Sequence, residues 1–459
     1  MTSLSKGPSS SAPNSSAKFL TGSTMSHVLT MTLSSSIGLI AVFSVDLIDL
    51  FFLSQLEDKS ILAALGFTGT VLFATISLGI GLSIASAATV ARAAGEQDEE
   101  KTKRRIVNNL IYSLIVSFIT AIFLFLTLPD LLTLLGAKGH VLDLSLEYLQ
   151  ILVPTMPLFA MSICSAAMLR GLGDARRSAY VTIGGGVTNA ILDPIFIFAL
   201  AMGMNGAAIA TALARLTMVF IGFHGLFYCH KTPIEPTKDG LKSDLKPFTR
   251  IAIPAILTNL ATPIGNGYVT YAAAGYGNGV VAAWGVIARI VPLGFCAVFA
   301  LSGSIGPIIG QNIGGGKLER VKQTLTDAVK FNTLYTLVIW LVLVLSTPLI
   351  IQLMQLQGIT ADLVAYFCYW LSPGFGMIGF LFIANAAFNN MDKPHYSTWL
   401  NWTRATLGTI PFVHVGAYFA DSHGLITGQI VGGAIIAFFS IALCYREVEK
   451  LSRQATFSS

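Results

Sequence analysis

Charge is what this sequence has least of. Of its 459 residues 11% are charged and 54% hydrophobic, where a soluble domain is about a quarter charged. A large soluble core does not account for so deep a deficit. The short alternating segments of about ten residues that mark a membrane β-barrel are also missing; the apolar runs are continuous. Chemical motifs are lacking too. No GxxxxGK[ST], HExxH or GxSxG occurs, so ATP drive and the common hydrolase chemistries have no motif here, and the chain does not read as an enzyme. Cysteine is sparse: Cys164, Cys229, Cys296, Cys368 and Cys444 lie in or at the ends of apolar runs, without a CxxC pair or a nearby histidine. They read as small buried residues. Residues 1 to about 22 are Ser-rich with Lys6 and Lys18 but hold no apolar h-region, which suggests a disordered tail and no cleavable signal peptide.

What is present is a series of runs long enough to cross a bilayer, which takes roughly 20 mostly apolar residues. Twelve are expected, near 25–53, 61–91, 106–128, 145–168, 178–201, 206–228, 249–274, 281–312, 328–354, 361–390, 396–418 and 424–446. The fold class is therefore an all-α membrane protein embedded in a lipid bilayer. Basic residues crowd the loops after even-numbered spans: Lys101 to Arg105, Arg170 to Arg177, Lys231 to Arg250, Lys317 to Lys330, Lys393, and Arg446 to Arg453. The opposite loops hold only Lys59 and Lys138. By the positive-inside rule both termini face the cytoplasm of a bacterial inner membrane. The net charge of +5 is thus a topology signal, and no nucleic-acid partner is expected.

The longest hydrophilic connection lies at the midpoint and separates two similar halves. Leu62-Ala63-Ala64 matches Val281-Ala282-Ala283, and the constant shift that relates them also carries Gly95 onto Gly314. Pro194 pairs with Pro411 and Gly206 with Gly424 at almost the same shift. Parallel repeats of six spans imply two lobes related by a pseudo-two-fold axis along the membrane normal, a plan that suits alternating access to a cavity between them. The expected divisions are a tail (1–24), an N-lobe (25–230), a cytoplasmic linker (231–248), a C-lobe (249–446) and a second tail (447–459).

Ionisable groups within spans are costly and so mark function. Asp46 and Asp49 are three apart on one face of the first span, though either can instead sit at a helix end facing water. Asp193 follows Gly184-Gly185-Gly186 and Asn189, and Pro194 after it interrupts the helix; Asn189 lies one turn earlier on the same face. The second half offers Asn259, Thr262 and Asn266 around Pro263 as cavity-lining groups, with interhelical hydrogen bonding the plainer alternative. Arg215, Arg289 and Arg404 read as snorkelling or pairing cations.

Taken in order, these segments resemble the multidrug and toxic compound extrusion (MATE) family over nearly the whole chain, from about 25 to 450. The residues that carry the resemblance are Ile48-Asp49-Leu50-Phe51-Phe52-Leu53 followed by Leu62-Ala63-Ala64, then Arg170-Gly171-Leu172-Gly173-Asp174, Asn189-Ala190-Ile191-Leu192-Asp193-Pro194 and Gly206-Ala207-Ala208-Ile209-Ala210-Thr211. Ser54-Gln55 departs from the family's Gly-Arg. The resemblance implies a V-shaped pair of six-helix lobes, monomeric, that exports small organic drugs, cationic or aromatic, against an inward flow of protons or sodium and without a cofactor. It places ion coupling at Asp49, Asn189, Asp193 and Thr211 in the N-lobe, where a sodium ion would also bind, and leaves the role of Asp46 open. A flippase for lipid-linked precursors, from the same superfamily, is the alternative.

Overall fold

The computed structural model describes residues 17–54 and 60–458, apart from the side chains of residues 46, 47, 49–51, 54, 62 and 455–458. All regular structure among the described residues is helical, as it must be where lipid offers the backbone no hydrogen bonds. The first six spans are α1 (Thr24–Ser54), α2 (Ser60–Gly95), α3 (Glu99–Leu134), α4 (Gly139–Leu152) continued by α5 (Met156–Gly171), α6 (Ala175–Pro194) and α7 (Gly203–Phe223). The second six begin with α8 (Lys238–Ala274), then α9 (Asn278–Gly294) continued by α10 (Cys296–Gly314), and α11 (Leu318–Leu353). One span follows from α12 (Gly358–Tyr366), α13 (Ser372–Met377) and α14 (Gly379–Asn390), and α15 (Pro394–Ala405) and α16 (Ile410–Ser458) complete the chain. α15 with the first part of α16 makes the eleventh span and the rest of α16 the twelfth; they divide where Ala420 and Asp421 leave helical geometry, Asp421 taking φ 46°.

The twelve spans form two six-helix lobes. Where the sequence suggests one continuous eighth span, the helix breaks at Phe295 between α9 and α10, just after Pro292 removes a backbone donor. Side-chain caps start several helices at one end of the bundle: Asp98 accepts from the Lys101 N–H, Asp174 from that of Arg177 and Thr237 from that of Gly240.

The internal repeat is visible in the helix bounds. The shift that carries Gly95 onto Gly314 also carries both ends of α3 (Glu99, Leu134) onto those of α11 (Leu318, Leu353). It likewise superimposes the fourth span, Gly139–Gly171, on the tenth, Gly358–Asn390. α3 and α11 face outward in their lobes: Leu126 and its counterpart Leu345 are each 72% exposed. For a membrane protein this is the lipid-facing surface.

The lobes meet chiefly where α1, α2 and α5 run against α8 and α10. A Cβ on Gly95 would come closer than 3.0 Å to the Gln311 backbone, and one on Gly314 equally close to the Arg92 carbonyl. Since the repeat also carries Arg92 onto Gln311, this reciprocal contact is what a two-fold axis between α2 and α10 requires.

Candidate functional site

The first candidate site lies in the N-lobe. Pro194 has no N–H to continue the ladder, and the chain passes from α6 into a π-helical turn over Ile195–Ala199. Gly206 on α7 lets that turn approach: a Cβ there would lie closer than 3.0 Å to the Phe196 carbonyl. The distortion holds Asp193, fully buried, one turn after Asn189, whose Nδ2 donates to Asp193 Oδ2 at 2.6 Å. A carboxylate with no solvent access persists only when protonated, hydrogen-bonded or paired with a cation. Thr211 is half-buried on α7, which packs along α6, and makes no hydrogen bond with Asn189 or Asp193. Asp46 and Asp49 lie on α1, which also packs along α6, but their side chains lie outside the described residues. No group of three or more acidic, histidine or cysteine side chains gathers as a metal site among the described residues.

The C-lobe candidates are dispersed. Asn259 turns its Nδ2 back onto the Ala255 carbonyl, and Asn266 is exposed. Thr262 alone joins a charged group: Arg404 Nη2 on α15 donates to Thr262 Oγ1 at 3.1 Å, and Arg404 is itself buried. Arg215 is buried too; it donates to the Leu152 carbonyl and Thr155 Oγ1 and lies over the Phe159 ring. Arg289 is exposed.

What the sequence reading missed is the seal between the lobes. At the end carrying the basic loops, Arg92 pairs with Asp392, which Arg250 of the same lobe also holds through its carbonyl, and Gln311 Nε2 donates to the Gly171 carbonyl. Gln311 Oε1 accepts from the Phe19 N–H, Arg320 donates to the carbonyls of Phe19 and Gly22, and Thr24 Oγ1 donates to Asp327 Oδ2. Residues 17–23, expected as part of the tail, thus dock on the C-lobe. The repeat shift pairing Gly95 with Gly314 was the available signal.

Two acidic groups brace this end. Asp244 on α8 accepts from Arg104 Nε at 3.0 Å and Asn108 Nδ2 at 2.9 Å. Burial alone would raise its carboxyl pKa; the Arg104 and Asn108 hydrogen bonds outweigh that and lower it. At Asp174, burial is likewise overcome by hydrogen bonds from His230 and Arg177, which hold the carboxyl below the usual range.

The family model MatE matches residues 35–195 and again residues 254–414, so the second match is the first displaced by the repeat shift. Among curated proteins the chain is similar to the FAD transporter of Shewanella oneidensis, 27% identical over 92% of this chain and 94% of that protein. It is also 24% identical to the multidrug export protein MepA of Staphylococcus aureus, over 62% of this chain and 64% of that one. Among solved structures it superposes on the Vibrio cholerae MATE transporter VcmN with a TM-score of 0.89 and 25% identity, covering 95% of this chain and 98% of that one. An outward-facing multidrug resistance MATE family transporter has the same fold, with a TM-score of 0.90 and 22% identity over 96% of this chain and 100% of the other.

Proposed function

The chain belongs to the MatE family of multi-pass membrane transporters, and from that premise we propose that it is an antiporter exporting small organic molecules against an inward flow of protons or sodium ions. The observation that carries the proposal is Asp193: a fully buried carboxylate, bonded to Asn189, beside a helix distortion that can move when its charge changes. Asp49 and Thr211 complete the ion site and Asp46 neighbours it. Neutralising the site by a proton or sodium ion lets the sixth helical segment and its neighbours repack, which shifts the balance between two lobe arrangements. The protein works as a monomer with both termini on the cytoplasmic side of the inner membrane.

For the cargo, drug-like aromatic cations are the first reading, in keeping with similarity to MepA. A second reading is an anionic nucleotide-like molecule. Similarity to a FAD transporter across nearly the whole chain favours it, and so does Arg404, a buried cation with no carboxylate partner among the described residues.

The test is uptake and release of ethidium, norfloxacin and FAD by reconstituted vesicles under separately imposed pH and sodium gradients. Wild type is run beside Asp49→Asn and Asp193→Asn. Gradient-driven efflux lost in both variants is the expected result, and the effective gradient identifies the ion. Efflux unchanged in both variants refutes the ion site. Movement of none of the three compounds refutes the cargo reading and directs the search to lipid-linked precursors.

A further inference from the structure

Just inside the sealed end lies a cavity of about 50 Å³. It is lined by pairs that the repeat shift relates: Ser83 with Ser302, Ala167 with Ala386, and Arg170 with Asn389. The cavity therefore sits on the pseudo-two-fold axis, and both lobes are needed to form it. At about 10–15 Å³ of such space per water, it admits a few groups of water size.

Its chemistry is lopsided. Arg170 reaches into it from the last turn of α5 with one hydrogen bond, Nη1 to Ser178 Oγ at 2.8 Å, while its Nε has no partner. No carboxylate lies within ion-pair distance among the described residues. Its counterpart Asn389 is 4% exposed, makes no hydrogen bond among the described residues, and can turn its amide N–H₂ inward without losing one. A guanidinium cannot shed its proton to escape burial. The carbonyl end of α5 supplies at most about half a compensating charge, so most of the cation needs another counter-charge.

The approach also selects for negative charge. An adjoining cavity of about 410 Å³ shares Ala88, Asn389 and Asn390 with the inner one. Arg92, Arg105, Lys246 and Arg250 line it; Arg92 is paired with Glu96 and Asp392 and Arg105 with Asp244, which leaves Lys246 and Arg250 as cations without a carboxylate partner among the described residues. Clefts lined by one sign of charge concentrate ions of the other.

We propose that the axial cavity is a binding site for a small inorganic monoanion of the chloride class, held by Arg170 and the Asn389 amide. Because the two lobes contribute jointly, the anion binds only when this end is closed and stabilises that arrangement by linkage. The anion is neither cargo nor coupling ion, so the site stands or falls independently of the transport proposal.

The test uses the purified full-length chain in detergent. Thermal unfolding is followed as chloride replaces gluconate at constant ionic strength, for wild type, Arg170→Gln and the exposed control Arg176→Gln. A saturable rise in Tm of about 2 °C or more in wild type and in Arg176→Gln, absent in Arg170→Gln, is expected. A rise that persists in Arg170→Gln overturns the assignment. Crystals of the wild type soaked in bromide decide the matter if the variant does not fold: an anomalous peak beside Arg170 is expected, and its absence, with water there instead, overturns the site.

Discussion

The reciprocal glycine crossing makes a quantitative claim about how the lobes stay closed. Replacing Gly95 by Ala puts a methyl group closer than 3.0 Å to three atoms of the Gln311 backbone. No side-chain rotation relieves a clash with main chain, so α2 and α10 must separate. Overpacking of this kind costs about 1–3 kcal/mol, borne only by the arrangement in which the helices touch. At about 1.4 kcal/mol per decade, the population open at this end rises about 5- to 150-fold. The reporter is Ser83→Cys, which lines the axial cavity and is 8% exposed in the wild type, with the partly accessible Cys229 changed to Ser. Its reaction rate with a polar maleimide in detergent tracks the open fraction. Gly69→Ala on the same helix is the control, because a Cβ there meets nothing within 4 Å. It should leave labelling unchanged and add up to about 1 kcal/mol of helix propensity. A Gly95→Ala rate within threefold of wild type, with the protein folded, refutes the idea that this crossing seals the lobes. Gly314→Ala should behave like Gly95→Ala, since the axis exchanges the two.

The same assay ranks the seal's other components. Arg92 and Asp392 are each more than a third exposed, and such pairs contribute about 0–1 kcal/mol, so Arg92→Ala should raise labelling less than fivefold and well below Gly95→Ala. Asp244→Asn leaves Arg104 and Arg105 without their shared carboxylate; unfolding of the variant in detergent should show a loss of about 2–3 kcal/mol, below the usual figure for a sealed pair because Arg104 is a third exposed. Asp174 gives a pH signature. Its folded-state pKa lies below its unfolded value, so its contribution is fully present above about pH 4 and is lost as pH falls through the folded value. Asp174→Asn should therefore lower Tm between pH 8 and 5.5, and the gap from wild type should close as pH falls below 4; a gap that widens below pH 4 refutes the assignment.

The class of protein was legible from composition alone, since only membrane helices combine so little charge with such long apolar runs. So was the repeat: the shift found from Leu62-Ala63-Ala64 and Gly95 recurs in the bounds of α3 and α11 and in the two family matches. Glycine and proline mark such positions because backbone approach and a lost donor are properties of the residue itself. Asn189 and Asp193 were legible as a pair for a similar reason, as residues one turn apart on a helix share a face whatever surrounds them.

Other features exist only once the lobes are placed together. The C-lobe residues Asn259, Thr262 and Asn266 look equivalent in sequence, yet one turns to its own backbone, one takes Arg404 as partner and one is exposed. Arg170, read as a loop cation, lies in a cavity that two distant halves must close to create. Helical spacing is local and can be counted along the chain. Burial of a charge between lobes depends on contacts between segments half the chain apart, and only the tertiary structure decides which side chains are left facing each other there.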